Sequence, residues 1–402
     1  MEREYVDILV AGGGVAGLSA AAGLAAAGFS VLCVDPVPPV TTAEAAGSDL
    51  RSTAFLGPSI AYLERAGLWQ RLAPHAAPLR VMRLADAGET GTLRTVADFD
   101  AAEIGMELFG YNLPNWLIRR EMVAALESLP NARLLAPMRV EAVTPRWNGI
   151  LARLSDGARV TARLLLAADG RDSTVREALG IPARRWGYGQ KALAFTVTAE
   201  QPHEGISTEI HRTGGPFTLV PLPDRDGLHQ AAVIWMETGR KALTLAAMEA
   251  PEFDAALNAR ACGVLGRLAL ASERRVWPII SQVADRLDGP RTALVAEAAH
   301  VVPPIGAQGL NMSLRDIATL VDLAREARDA GRDFGEPALL SRYHRMRHRD
   351  ILLRVAGIDA LNRAAMTEAP RLRDLRRAGL RLLHGLGPLR RGAMRLGLGA
   401  GG

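Results

Sequence analysis

Residues 8–34 carry no charged side chain, a run long enough to cross a bilayer as a helix, which takes roughly 20 apolar residues. Six glycines argue against that reading: Gly12, Gly13, Gly14, Gly17, Gly23 and Gly28. They divide the run into "VDILVAG", "GLSAAAGLAAAG" and "FSVLCVD", which reads as strand, turn, helix, turn, strand. A βαβ unit commits the chain to an α/β fold with a parallel sheet.

The turn inside that unit is Gly12-x-Gly14-x-x-Gly17, with Ala16 within it, and Asp35 closes the second strand eighteen residues beyond Gly17. Glycines let backbone approach a pyrophosphate, the helix start offers free N–H groups and the positive end of its dipole, and the acid accepts a ribose hydroxyl. The bland alternative is an empty βαβ scaffold. The motif does not by itself separate FAD from NAD.

About half of the 402 residues are apolar, enough for two or three domains. The net charge of +5 comes from arginine, since Lys191 and Lys241 are the only lysines, and arginine is spread along the whole chain. The basic balance therefore points to no nucleic-acid partner. Cys33 and Cys262 fit no metal or redox spacing, and the charged opening "MEREYVD" is unlike a secretory signal, so a reducing cytoplasm is expected.

Beyond Asp35, the loop 36–47 leads to "DLRSTAFLGPSIAYLERAGLW", where Ile60, Leu63 and Leu68 fall near helical spacing. A second helix is expected in "GYNLPNWLIRREMVAALESL" and strands over 133–160. "ARLLLAADGRDSTVREALG" reads as buried strand, turn and short helix. Short β-branched and aromatic runs over 181–277, such as "ALAFTVTA" and "QAAVIWME", predict an inserted antiparallel layer. "RTALVAEAAH" is again a buried strand, "LNMSLRDIATLVDLAREA" a helix, and 337–402 helical and arginine-rich.

The second motif runs from Asp169 and Gly170 through Arg176, at a strand end where ligands of α/β sheets collect. Alone it reads as a turn with a helix cap, Thr174 and Glu177 having capping-box spacing. The third is "EAAHVVPPIGAQGLN", poor in large side chains. In this order the glycine fingerprint, "ADGRDSTVR" and the third motif resemble the flavoprotein aromatic hydroxylases of the para-hydroxybenzoate hydroxylase superfamily. With "GYGQKALAFTV", "GPFTLVPL" and "PPIGAQGLNMSLRDIATL" the resemblance is to the ubiquinone-biosynthesis hydroxylases, over nearly the whole length.

That resemblance implies a Rossmann-like FAD-binding domain (1–72, 106–180 and 278–336), a substrate-binding β-sheet domain (73–105 and 181–277) and a helical C-terminal region (337–402). It implies that Asp35 holds the adenosine ribose, and that Arg51 and Arg119 approach the phosphate or ribityl part of FAD. Arg119 with Met122 and Leu126 matches the family's R-x-x-L-x-x-x-L pattern, and arginine's planar fork suits phosphate. Asp169 and Gly170 would serve FAD and the nicotinamide donor. Glu297 stands where the family commonly has Asp on the ribityl chain, and Ala296 where it has Gly. The loop of Pro304, Ile305, Gly306, Ala307, Gln308, Gly309, Leu310 and Asn311 would wrap the isoalloxazine ring, with the next helix aimed at the ring edge that gains negative charge on reduction. Pro304 and His300 are the catalytic candidates, His300 either as a base or as a strand-end strut for the loop.

Other motifs have bland readings. His344 and His348 have the spacing of a zinc helix, but arginines crowd them and the metalloprotease glutamate is missing, so no metal is expected. Trp277-Pro278-Ile279 lacks the partner tryptophan and lysine of a flavin halogenase. In the tail, Leu372, Leu375, Leu382 and Leu386 stripe one side and Arg373, Arg376, Arg377 and Arg381 lie largely elsewhere, which suits either a membrane-surface helix or a solvated packed one.

The implied activity is ring hydroxylation of a polyprenylated phenol in ubiquinone biosynthesis, using NAD(P)H and O2 through a flavin hydroperoxide. Implied partners are the membrane surface and other ubiquinone-biosynthesis proteins, with peripheral association of a cytoplasmic chain. The alternatives are a hydroxylase of a small soluble aromatic compound, a non-catalytic prenyl carrier on the same fold, and a flavin reductase of prenyl double bonds.

Overall fold

The computed structural model describes residues 3–87, 92–212, 214–366, 382 and 384–398. Five parallel strands form its first sheet, in the order Thr292–Leu294, Arg159–Ala167, Arg3–Ala11, Val31–Val34, Ala132–Leu135. Asp288–Gly289 and the hairpin Val140–Arg146 with Gly149–Leu154 add antiparallel pieces. The central strands are apolar without alternation because both faces are covered: Ile8, Leu9, Val10, Leu164, Leu165 and Leu166 are all fully buried.

The helix Val15–Ala26 packs against the helices Asn115–Glu127 and Gln308–Asp329 and against Val31–Val34. All residues from Ala16 to Ala25 are buried, which explains the charge-free run: a helix enclosed on every side is apolar all round. Small side chains admit the neighbours. A methyl at Gly23 would sit 2.2 Å from the Tyr62 hydroxyl, which donates to the Ser19 carbonyl at 2.7 Å.

The second sheet has nine strands and is antiparallel except where Ile206–Arg212 runs parallel to Val81–Ala87. Helices Gly239–Ala247 and Ala250–Ala261 lie over one face, enclosing Leu193, Phe195, Phe217, Val233, Trp235 and Phe253. Its strand Arg275–Ala284 runs past Trp277, where the sequence suggests the layer ends, and pairs with His300–Val301 of the third motif. Pro278 does not break it, because the facing strand bulges between Gly187 and Lys191. A three-stranded sheet absent from the sequence reading, Ser52–Leu56, Gly110–Pro114 and Ala77–Leu79, lies between the two.

The helix Pro337–Met366 packs on Gln308–Asp329 and on the second sheet. The helix Gly387–Leu398 buries Met394 and Leu398 against Leu56, Phe99 and Phe109. Of the expected tail stripe, Leu382 and Leu386 are exposed, while Leu372, Leu375 and Arg373, Arg376, Arg377 and Arg381 lie outside the described residues. No helix among the described residues is long and apolar enough to cross a membrane.

Candidate active site

All three motifs leave the same edge of the first sheet, at the carboxyl ends of adjacent parallel strands. The Gly12 amide donates to the Val34 carbonyl at 2.7 Å, Ala168 to Ala11 at 2.8 Å, and Val295 to Ala167 at 3.0 Å. Such an edge is where α/β sheets collect ligands.

Each glycine of the fingerprint has its own reason. Gly12 has φ +106°, and a methyl there would lie 2.3 Å from the Ala168 carbonyl. A methyl on Gly17 would lie 1.8 Å from the Gly12 carbonyl, so only glycine lets helix and turn meet. Gly14 is different: nothing among the described residues lies within 4 Å of its added methyl, and it starts the helix with no side-chain cap. Open space at an uncapped helix N-terminus fits a phosphate. Ala16 is buried in the first turn. Asp35 accepts from the amides of Gly13 at 2.6 Å and Val37 at 2.8 Å, one per oxygen, and each oxygen keeps a lone pair for a hydroxyl.

In the second motif the helix cap is Ser173, not Thr174: its hydroxyl accepts from the Arg176 amide at 3.0 Å, and the helix is Thr174–Ala178. The shift by one residue leaves Glu177 outside a capping box. Asp169 receives the Ser173 hydroxyl at 2.5 Å and the Val175 amide at 3.1 Å. Burial raises its carboxyl above the usual range, partly offset by those hydrogen bonds. Gly170 has φ +87° and turns the chain.

Motifs two and three are tied together. Buried Arg176 donates to the carbonyls of Arg171 and Ala298, both at 3.1 Å, and Gln282 donates to the Arg171 carbonyl at 3.0 Å. Glu297 is half-exposed and accepts from Arg171 Nε at 3.1 Å. The neighbouring Ala296 has φ +55°, the left-handed region that glycine enters without steric cost and alanine does not.

Facing Glu297 is a group of basic side chains. Arg51 makes a two-pronged pair with buried Asp49 at 2.8 and 2.7 Å, Asn115 donates to Asp49 at 3.0 Å, and an Arg119 nitrogen lies 3.9 Å from it. Burial raises the Asp49 carboxyl, but Arg51, Asn115 and Arg119 outweigh it and hold it at about 2. Arg51 stacks 4.5 Å from the Trp277 ring centre and feels the charge of Glu297. Arg119 Nε and Trp277 Nε1 are buried donors with no acceptor among the described residues. Spare donors beside the Arg51–Asp49 pair suit an anionic ligand.

The third-motif loop presents Pro304, Gly306 and Gly309 to solvent and ends at Ala307, which has φ +55° and starts the helix Gln308–Asp329 without a side-chain cap. Leu310 is half-buried. Gln308 bonds outward, to the carbonyls of Gly306 and Gly397 at 3.0 Å each. Asn311 is a clamp: its amide donates to Ala54 and Ala307, and its oxygen accepts from the Leu56 amide and the Ser59 hydroxyl. With two donors and two lone pairs used, its side chain has nothing left for a ligand. His300 is fully buried and bonded through Nε2 to Asp316 at 2.6 Å, which also accepts from Arg347 at 2.7 Å. The bond ties the root of the loop to the helix Gln308–Asp329, and His300 Nδ1 is buried without a partner among the described residues. His344 and His348 stack at 4.6 Å, His344 accepting from the Leu287 amide and His348 donating to the Ala284 carbonyl.

The FAD binding domain family matches residues 5–352. The chain belongs to this family of FAD-dependent monooxygenases. Its relatives include a ubiquinone hydroxylase, UbiL, of Rhodospirillum rubrum, 36% identical over 98% of this chain and 90% of that one. Another is the 3-demethoxyubiquinol 3-hydroxylase of Escherichia coli, 28% identical over 99% of this chain and 100% of that one. In structure the monooxygenase is similar to p-nitrophenol 4-monooxygenase from Pseudomonas putida, with a TM-score of 0.79, 22% identity and 99% of each chain covered, a likeness of fold.

Sequence reasoning did not single out Asp49, Asn115 or the pairing of Trp277 with Arg51, and it gave Arg171 and Arg176, inside the second motif, no part of their own. Asp49 lies two residues from Arg51 and carries no periodic signal. Arg171 and Trp277 matter only through chain segments more than a hundred residues away.

Proposed function

We propose that this monooxygenase hydroxylates the aromatic ring of a polyprenylated phenol in ubiquinone biosynthesis, with NAD(P)H as donor and O2 as oxidant. The observation that carries the reading is 36% identity over 98% of the chain to a ubiquinone hydroxylase, joined to three motifs meeting at one sheet edge. FAD held at that edge would supply the redox chemistry, with NAD(P)H as the source of electrons and O2 as the source of the oxygen atom placed on an electron-rich ring.

The protein's part is binding, orientation and exclusion of water. Gly12, Gly14, Ala16 and Gly17 form the turn and helix start for the pyrophosphate, Asp35 takes the adenosine ribose, and Arg119 and Arg51 complete the anion site. Asp169, Gly170 and Glu297 line the ribityl path. Pro304 and the backbone from Gly306 to Asn311 would hold the flavin ring, and the N-terminus of Gln308–Asp329 would favour negative charge there. His300 positions this loop through Asp316 and is not a proton carrier to substrate. Ile305 packs with Ala192, Met236 and Ile279, a dry apolar wall between loop and second sheet suited to an apolar substrate. In this assignment the first sheet and its helices hold FAD, and the second sheet, through Ala284, serves the substrate.

Deletion of the gene tests the pathway: the reading expects loss of quinone and accumulation of a prenylated phenol. Normal quinone content would overturn it in favour of a soluble aromatic substrate.

A further inference from the structure

The helix Pro337–Met366 shows two unlike sides. Its inner side is buried at Tyr343, Arg347, Ile351, Val355 and Ile358. Its outer side carries Met346, Leu353 and Leu361 at 52, 67 and 60% exposure, with Ala356, Gly357 and Ala360, also exposed, between them. At 1.5 Å per residue this uncovered apolar stripe is on the order of 20 Å long. Large apolar side chains in such a row on a helix otherwise packed along its length call for an occupant.

Charge identifies that occupant. Arg345 is exposed beside Met346 and Arg349 on the same face between Met346 and Leu353, and neither makes an ion pair among the described residues. The acids of this stretch are engaged elsewhere, Asp350 with Arg347 and Arg354, and Asp359 with Trp186, Tyr188 and Arg363. The helix Gly387–Leu398 repeats the pattern: Leu389 and Leu396 are 50 and 76% exposed, Arg391 and Arg395 are exposed and without an ion pair among the described residues, and it contains no acid. The two helices meet across Gln308, which donates to the Gly397 carbonyl at 3.0 Å and accepts from Arg354 at 3.2 Å. A small cavity between them is lined by Ser59, Asn311, Arg354 and Leu398.

We propose that these two outward faces form one docking surface for the headgroups and outer acyl carbons of an anionic bilayer, beside the loop at Gln308. Leucines enter the headgroup boundary, and the arginines that make no ion pair among the described residues meet lipid phosphate. The surface is read from exposure and charge. Only its use, delivery of a bilayer-stored substrate next to the flavin loop, rests on the proposed function.

The test is sedimentation of the FAD-loaded protein with phosphatidylcholine vesicles, with and without phosphatidylglycerol. Binding is expected only to the anionic vesicles and falls with added salt. Arg345→Ser with Arg349→Ser lowers the partition coefficient roughly thirtyfold, from about one headgroup contact per arginine. Leu353→Ser with Leu361→Ser lowers it as well, and both variants keep parental melting and parental turnover of a water-soluble short-chain prenylphenol. Vesicle binding that is absent, or equal in parent and variants, overturns the surface. Self-association in light scattering that vanishes in the leucine variant also overturns it, giving the stripe to a second copy. Loss of turnover in the parent itself would instead strike the proposed reaction and leave the lipid result standing.

Discussion

Replacing Asp49 by Asn separates the anion-site charge balance from its shape. The side chain keeps its size and one acceptor oxygen but loses the charge that holds Arg51 at 2.7 Å and faces Arg119 at 3.9 Å. The carboxyl sits at about 2 against an ordinary 3.8. A drop of nearly two units, at roughly 1.36 kcal/mol each, amounts to about 2 kcal/mol of folding stability. Because the folded value is depressed, this stability is fully present above the unfolded pKa and is lost as pH falls through the folded one. With an unfolding entropy of ~2.1 cal/mol/K per residue, it corresponds to a Tm about 2 °C lower for a chain of this length. The assay is urea and thermal unfolding of FAD-free parent and variant across acidic and neutral pH. The gap should be about 2 kcal/mol near neutrality and close progressively between about pH 4 and pH 2. Equal stability at neutral pH, or a gap unchanged in acid, would refute the reasoning.

The glycines of the fingerprint should separate in two assays. Gly14→Ala meets open space and should melt like the parent without FAD yet bind FAD at least ~10-fold more weakly, whereas Gly17→Ala, clashing with the Gly12 carbonyl, should fail to fold stably. Glu297→Ala should weaken FAD in a flavin-quenching titration by about tenfold; retention at parental affinity would remove Glu297 from the ribityl path and leave it as the partner of Arg171. His300→Asn should lower Tm while the FAD-loaded fraction keeps turnover within a few fold, and a folded holoenzyme slowed by more than ~100-fold would restore the histidine as a proton carrier.

The parts of the site made by backbone were legible in the sequence, because glycine and proline at a strand-to-helix turn have few other uses. The turn at Gly12 and Gly17 and the loop from Pro304 to Gly309 belong to this class, and so does the charge-free first helix. Side-chain alliances were not legible. Asn311 looks like a ligand contact in the motif, but its partners Ala54, Leu56 and Ser59 come from a strand and helix about 250 residues earlier. The Ser173 cap competed with Thr174, which alone has a glutamate at capping-box spacing, and only backbone geometry decides between neighbours. The second sheet's extension through Pro278 required a bulge in the facing strand, which no pattern within Arg275–Ala284 announces. Glu297 is the instructive case: its departure from the family's aspartate is visible in the sequence, while its bond to Arg171 is visible only in the fold.

The central claim is that one oxygen atom from O2 is placed on the ring of a prenylated phenol by this chain with bound FAD. Mass spectrometry after incubation of FAD-loaded protein with NAD(P)H, a prenylphenol and ¹⁸O-labelled O2 tests it directly. The account predicts a product heavier by one labelled oxygen, carried on the ring. A product that gains only hydrogen at a prenyl double bond without O2 uptake, or a protein that takes up no FAD, would contradict it.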